Sequence, residues 1–306
     1  MDLREVARLR DVMSNALTLG LGQDEARVRG ALDENRNPQV TAEDYLRAVA
    51  ARLEVDHGQL ERITNDFHHV NCEHEHAHRD FARNVLVHVV LHELGHALVR
   101  EFDLPVLSNE ESLADAFATH YLVRHLPEHA PAVLTARIES LLLEANAEPR
   151  EEWTVAGEHN SDARRAHQIA ALALGSDPER YAALAARVGM TDGQQRAAAD
   201  YGAEVHRSWR RILAPLSMPV GQRSREVRVR MIPEAEITTL LEGTEHLRVL
   251  EEALHRYDWH SQVTLALEDD HGGRASWSRS KRTISVHSSY ANRFIIQSMS
   301  RSLLDL

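Results

Sequence analysis

An apolar helical run from Phe81 to about Phe102 carries His92-Glu93-Leu94-Gly95-His96. An α-helix turns once every 3.6 residues, so two histidines four apart stand one above the other on a single face. That spacing aims two imidazoles at one point. Glu93 lies one residue round from His92, close enough to reach a water held at that point without displacing it. The pattern works only on a helix, so it constrains the fold as well as the chemistry. Two ordinary histidines on a half-buried helix would give the same letters, and the chain has 20 histidines. His88 shares the face but cannot join His92 and His96 on one ion. It lies eight residues, or about 12 Å, from His96, and zinc–nitrogen bonds are about 2 Å. It is a packed histidine or one that supports the others.

A catalytic zinc commonly keeps three protein ligands and one open position, so a third ligand must come from another element. After Leu104-Pro105 the chain turns, and Ser108-Asn109-Glu110-Glu111 opens a second helix that runs to about Leu126. A short turn makes this helix antiparallel to the first. Glu111 and Asp115 are four apart on its face, so Glu111 can approach a shared ion while Asp115 accepts a hydrogen bond from the far ring nitrogen of a ligand histidine. Ser108 with Glu111 also reads as a capping box, which would commit Glu111 to the helix end. Asn109 can cap instead, and Glu110 is the alternative ligand. The scheme with a glycine and a third histidine further along the same helix fails, because Val99 and Phe102 occupy those positions.

Composition narrows the function. With 306 residues, 43% hydrophobic and 27% charged, the chain has the make-up of a folded protein with a large core. A formal net charge of −12 argues against nucleic-acid binding, which needs a positive surface. The apolar run Val85–Leu91, interrupted by His88, is too short to span a bilayer. Cys72 is the single cysteine, so no internal disulfide framework is possible. Together with a charged start, Met1-Asp2-Leu3-Arg4-Glu5, this makes a cytoplasmic, reducing location the expectation.

Residues 1 to about 80 read as helices broken near Gly20–Gly22 and Asn35–Pro38. The stretch Asp33–Asp44 places oxygen side chains at calcium-loop positions, but Pro38 stands where such loops need glycine, and Asp44 where they use glutamate. A solvated loop, with Thr41 capping the next helix, explains the same residues. His74, His76 and His78 alternate, which faces one way only on an extended backbone; a polar lead-in to a helix capped by Asp80 is the simpler reading. Glu158 and His159 precede a helix that Asn160 or Ser161 caps and Gly175 stops, and Asp177-Pro178 starts the next. His159 is either a positioned polar group or a surface histidine. From about Ser224 the pattern changes. Glu226–Met231 is a strand, Pro233–Tyr257 an amphipathic helix, Gln262–Glu268 and Arg282–His287 strands, and Ser289–Leu304 a closing helix. Arg223, Arg225, Arg228 and Arg230 form the polar face of an edge strand.

With these residues assembled, the chain resembles a family of bacterial zinc metallopeptidases of gluzincin type. The pieces that match are His92-Glu-Leu-Gly-His96-Ala97-Leu98, Leu104-Pro-Val-Leu-Ser-Asn-Glu-Glu111-Ser-Leu-Ala-Asp115, and Glu158-His159-Asn-Ser-Asp162 through Gly175-Ser-Asp-Pro178. Trp209 to Pro215 continues the likeness more weakly, so it covers about residues 80 to 215. The resemblance implies an α+β, predominantly α-helical fold with a zincin-like core at 80–216. A helical region at 1–79 would precede it, and a small α/β segment at 217–306 would follow. It implies one Zn2+ on His92, His96 and Glu111, and Glu93 as catalytic base. Members usually carry an export signal and extra cysteines in the third piece; none stands near Ala171, which fits an intracellular variant. The segment Ala275-Ser-Trp277 to Tyr290 resembles a piece those chains place before the zinc helix, and it would supply a substrate-binding edge from the other end of the chain.

These readings converge on hydrolysis of a peptide or protein substrate, without nucleic acid or membrane. Glu93 would take a proton from water during attack on a peptide carbonyl and return it to the leaving amine. The oxyanion needs a donor beyond the metal, with His159 the first candidate and Tyr121 the second. The rival function is a zinc-binding regulatory protein whose peptidase-like site has little or no turnover. A purely structural helical protein would bind no stoichiometric zinc.

Overall fold

The computed structural model describes residues 11, 14–15, 17–18, 23–34, 42–62, 74–106, 109–147, 162–269 and 273–304. The elements in order are α1 Glu25–Glu34, α2 Ala42–Leu53, α3 Glu75–Glu101, α4 Glu110–His125, α5 Ala130–Ala147, α6 Asp162–Leu174, α7 Ala182–Arg187 and α8 Asp192–Leu213. There follow β1 Val227–Met231, α9 Glu236–Leu241, α10 Glu245–His255, β2 Val263–Glu268, β3 Ala275–Ser278, β4 Thr283–His287 and α11 Ser288–Leu304. The fold is α+β and predominantly helical, as expected. No helix among the described residues is long and apolar enough to cross a membrane.

The chain forms two compact units, residues 1–81 with 292–306, and residues 82–291. In the first, α1 and α2 pack Val28, Ala31 and Leu32 against Val49, Ala50 and Leu53. Tyr45 donates its hydroxyl to the Leu32 carbonyl at 2.8 Å and ties the pair. The Asp33–Asp44 loop lies largely outside the described residues. The lead-in expected around His74–His78 is corrected: α3 begins at Glu75, so His76 and His78 are helical. Glu75 favours an earlier start, since its charge complements the helix N-terminus and it pairs with Arg79 one turn on.

The second unit holds the motif. The middle of α3 buries residues on nearly every side, including Leu86, Val90, Leu91, Leu94 and Leu98, each worth about 1.5–3 kcal/mol when removed from water. The centre of α4 is likewise buried from Ala114 to Leu122. Helix α6 packs against α4, α5 and α8. At its end Gly175 meets Gly202 of α8 so closely that a Cβ on Gly175 would lie 2.3 Å from the Gly202 backbone. Phe117 on α4 joins Trp209 on α8 and Tyr257 after α10, with ring centroids 5.4 and 6.2 Å away.

The four strands run in the order β1-β2-β4-β3. The β1–β2 and β2–β4 pairs are parallel, and β3 lies antiparallel to β4 at the edge. Arg228 and Arg230 do form the exposed face of an edge strand. Two sequence expectations change here. The single helix over Pro233–Tyr257 is two, α9 and α10, because Gly243 turns the chain with φ +70. The short strand β3 was concealed by its small polar residues.

Candidate metal centre

The site begins where α4 crosses α3. A Cβ on Gly95 would lie 3.0 Å from the Cα of Ala114, so the crossing needs both glycine and a small partner. Asn109 caps α4 by accepting from the Ser112 amide, which leaves Glu111 free of the helix end. Glu111 then turns toward the histidines. Its carboxylate oxygens lie 3.2 Å from His92 Nε2 and 3.4 Å from His96 Nε2, and the two Nε2 atoms are 3.1 Å apart.

The far nitrogens determine what those atoms carry. His92 Nδ1 lies 2.8 Å from Asp115 Oδ1 and His96 Nδ1 lies 2.9 Å from Glu110 Oε1. Each Nδ1 therefore holds a proton and donates it to a carboxylate, leaving a lone pair on each neutral Nε2. Two nitrogen lone pairs and a carboxylate oxygen face one another, a set that repels itself unless a positive charge lies between. In a tetrahedron with bonds of about 2.0–2.2 Å, ligand atoms are about 3.3–3.5 Å apart. The nitrogens, 3.1 Å apart, and the two Glu111 oxygens, 3.2 and 3.4 Å from them, bring the three groups within reach of such an ion, with ligand atoms within 4.8 Å of one another. His92, His96 and Glu111 are the group among the described residues able to hold a metal.

The same preference for positive charge shows in proton affinity: where no ion takes the lone pairs, a proton on Nε2 supplies the charge and is donated to Glu111. Burial pulls His92 down most strongly, yet the charge of Asp115 and hydrogen bonds donated to Asp115 and Glu111 outweigh it and raise the imidazole to about 9. His96 is raised too, with burial opposed chiefly by Glu111. Hydrogen bonds from both histidines hold Glu111 well below the usual carboxylate range. Asp115, 1% exposed, stays ionised because Arg165 and His92 overcome its burial. Arg165 donates to both Asp115 oxygens, at 2.8 and 3.0 Å.

Glu93 is held by a different element. Its Oε2 accepts the Trp277 amide of β3 at 2.7 Å, joining the motif helix to the sheet edge. Arg282, just before β4, pairs with Glu101 near the end of α3 and supports the same docking. A cavity of about 110 Å³ opens beside His92, Glu93 and Glu111. His88, Arg137, Arg165 and Tyr290 line its other walls.

Residues 39–213, more than half of the chain, match the model of a family whose description reads "Putative metallopeptidase". The chain belongs to this family. No curated protein and no solved structure matches it. The matched span ends before the sheet, so the family segment contributes His92, Glu93, His96, Glu111 and Arg165, whereas Trp277 and Tyr290 lie beyond it.

Helix spacing and the α3–α4 crossing bring His92, His96, Glu111 and Asp115 together. Glu110, weighed as an alternative ligand, instead holds the back of His96 and pairs with Arg100 at 2.5 Å. His88 is not among the metal-holding group; it lines the cavity, 1% exposed, and burial pushes its pKa well below the usual imidazole range. Tyr121 lies away from the cavity, where its hydroxyl accepts from Arg256 at 3.3 Å. Glu158 and His159 fall outside the described residues, as does Ser108. The sequence reading missed Arg137, Arg165 and the Trp277 amide. Arginines at such positions carry no local signal, and a backbone amide carries none at all.

Proposed function

We propose that this protein is a zinc-dependent metallopeptidase in which Glu93 is the general base. The observation that carries the reading is the convergence of three electron-pair donors beside Glu93, with both histidines fixed as Nδ1–H tautomers by Asp115 and Glu110. His92, His96 and Glu111 would hold the ion, and two imidazoles with one carboxylate favour zinc. When bound, zinc polarises a carbonyl and makes water acidic at neutral pH. Glu93 keeps Oε2 on the Trp277 amide, so its Oε1 takes the proton of the attacking water and passes it to the leaving amine. Tyr290, on the cavity wall, replaces Tyr121 as the donor candidate for the developing oxyanion.

A peptide as substrate is supported by the sheet edge. Trp277 sends its amide away from β4, and in an antiparallel pair both groups of such a residue point outward. Ala275, two residues back, shares that direction, so β3 offers main-chain partners to an extended chain lying beside Glu93. In this reading residues 80–216 carry the metal chemistry and 217–306 the substrate edge. The lone Cys72 supports a reducing, cytoplasmic setting.

The test is Glu93→Gln, assayed for zinc content and for cleavage of a peptide library with and without chelator. One zinc per chain with hydrolysis lost is the expected result. Undiminished cleavage by the variant rejects Glu93 as base, and a zinc-loaded wild type that cleaves nothing leaves the regulatory reading.

A further inference from the structure

One wall of the cavity holds a charge that nothing in the described structure answers. Arg137, on α5, is 3% exposed, and its Nε and Nη1 have no hydrogen-bond partner. Beside it on the cavity wall is His88, 1% exposed, with both ring nitrogens unpartnered. Arg165 also lines the cavity, but its charge is met by Asp115 and Asp162. No carboxylate among the described residues pairs with Arg137. A guanidinium taken out of water without a counter-ion is strongly unfavourable, and the group that best satisfies it is a carboxylate, which its planar fork grips through two bonds. The cavity is otherwise poorly suited to an apolar side chain: Val89 is the one aliphatic residue in its lining.

We propose that Arg137, with His88, forms a subsite for a carboxylate carried by the substrate next to the scissile bond. The substrate class is therefore peptides bearing either an acidic side chain or a free C-terminal carboxylate at that place. Calling this ligand a substrate rests on the peptidase reading above; the carboxylate site itself does not. His88 contributes a neutral N–H donor, and Arg137 the charge. The cavity of about 110 Å³ has room for a carboxylate on a short stem, and it opens directly onto Glu93 and Glu111.

The test measures binding without turnover, on the full chain loaded with zinc and on the same chain after chelation. Ligand-observed NMR titration compares three probes. N-acetyl-glutamine offers only an α-carboxylate, N-acetyl-glutamate α-amide only a side-chain carboxylate, and N-acetyl-glutamine amide neither. One acidic probe should bind about tenfold or more tighter than the neutral one in both forms of the protein, and which one does so names the source. Arg137→Met should remove that margin. If this variant does not fold, as judged by circular dichroism, Arg137→Lys decides, because it keeps the charge and loses the fork, so the margin should shrink. Equal binding of all three probes overturns the proposal. So does a margin that needs zinc and survives Arg137→Met, since the ion then takes the carboxylate. Peptidase assays run beside this one separate the two ideas: a chain that binds the acidic probe through Arg137 but cleaves nothing keeps the subsite and loses the proposed function.

Discussion

Two histidine pairs in this protein bring ring nitrogens to nearly the same separation, 3.1 Å for His92 and His96, 3.0 Å for His120 and His206. Their chemistry is opposite. His206 donates Nε2–H to the Leu172 carbonyl at 2.7 Å, so its Nδ1 is an acceptor and His120 Nδ1–H must donate to it. That pair is a complete neutral hydrogen bond. Burial lowers both, and together with His206, His125 and nearby arginines it brings His120 down to about 3. In the first pair both far nitrogens face carboxylates, so each near nitrogen can turn a lone pair on an ion, and without an ion His92 takes a proton instead, its pKa raised to about 9. The groups behind the rings, more than the distance between them, decide whether two histidines make a cation site or a structural contact.

The sharpest way to break the contrast is Glu111→Ala, which removes the anion from the first pair. Stoichiometric zinc should be lost on dialysis and hydrolysis should fall by about a thousandfold or more, whereas no zinc should be found at His120 and His206 in any variant. Asp115→Asn comes next. It strips the charge behind His92 and leaves Arg165 with the longer pair to Asp162 at 3.6 Å. Unfolding free energy should drop by about 1–3 kcal/mol in urea titration, with zinc bound about 10–100-fold more weakly. Intact stability in that variant would show that Asp162 alone satisfies Arg165. Gly95→Ala forces the two helices apart against a backbone atom. A loss of about 1–3 kcal/mol and weakened zinc binding are expected, and an unchanged melting temperature would mean the crossing yields freely.

The second pair predicts a pH effect with a definite sign. Folded His120 and His206 have pKa values below those of the unfolded chain, so the unfolded state takes up protons first as pH falls. Above about pH 6.5 the two contribute no pH dependence. Below it stability declines by up to about 1.4 kcal/mol per group per pH unit, continuing toward pH 3 for His120. Denaturation followed from pH 7.5 to 5 should show this slope, and His120→Phe should reduce it. An equal slope in that variant would remove the pair from the account. The smallest effect belongs to Glu110→Gln. The amide oxygen can still accept from His96 Nδ1, so zinc affinity should fall only a few-fold, measured by competition with a chelator; a loss as large as that of Asp115→Asn would show that the charge behind His96 matters as much as its hydrogen bond.

Much of the first pair was legible in the sequence, and almost none of the second. His92, Glu93 and His96 are separated by intervals a helix converts directly into positions, and Glu111 and Asp115 repeat that interval on the next helix. His120 and His206 lie 86 residues apart with no motif between them. The fold shows the same division. The closing helix and the strands at 227–231 and 263–268 follow from periodicity, whereas β3 was hidden because Ser276 and Ser278 give no hydrophobic alternation. The break at Gly243 has no clear sequence signal, because a single glycine in an amphipathic stretch does not by itself stop a helix.

By itself, then, the sequence determined which atoms could bind an ion: helix geometry is local, and residues four apart must share a face. Only the tertiary structure decided what surrounds them. The tautomer of His96 depends on Glu110 turning back across the helix crossing, the charge of Asp115 on Arg165 50 residues away, and the setting of Glu93 on a backbone amide 184 residues away. Those partners meet because α4 and the sheet edge dock on α3 while α6 packs against α4, so that polar groups are satisfied one by one. The same packing leaves Arg137 unanswered in the lining of the cavity.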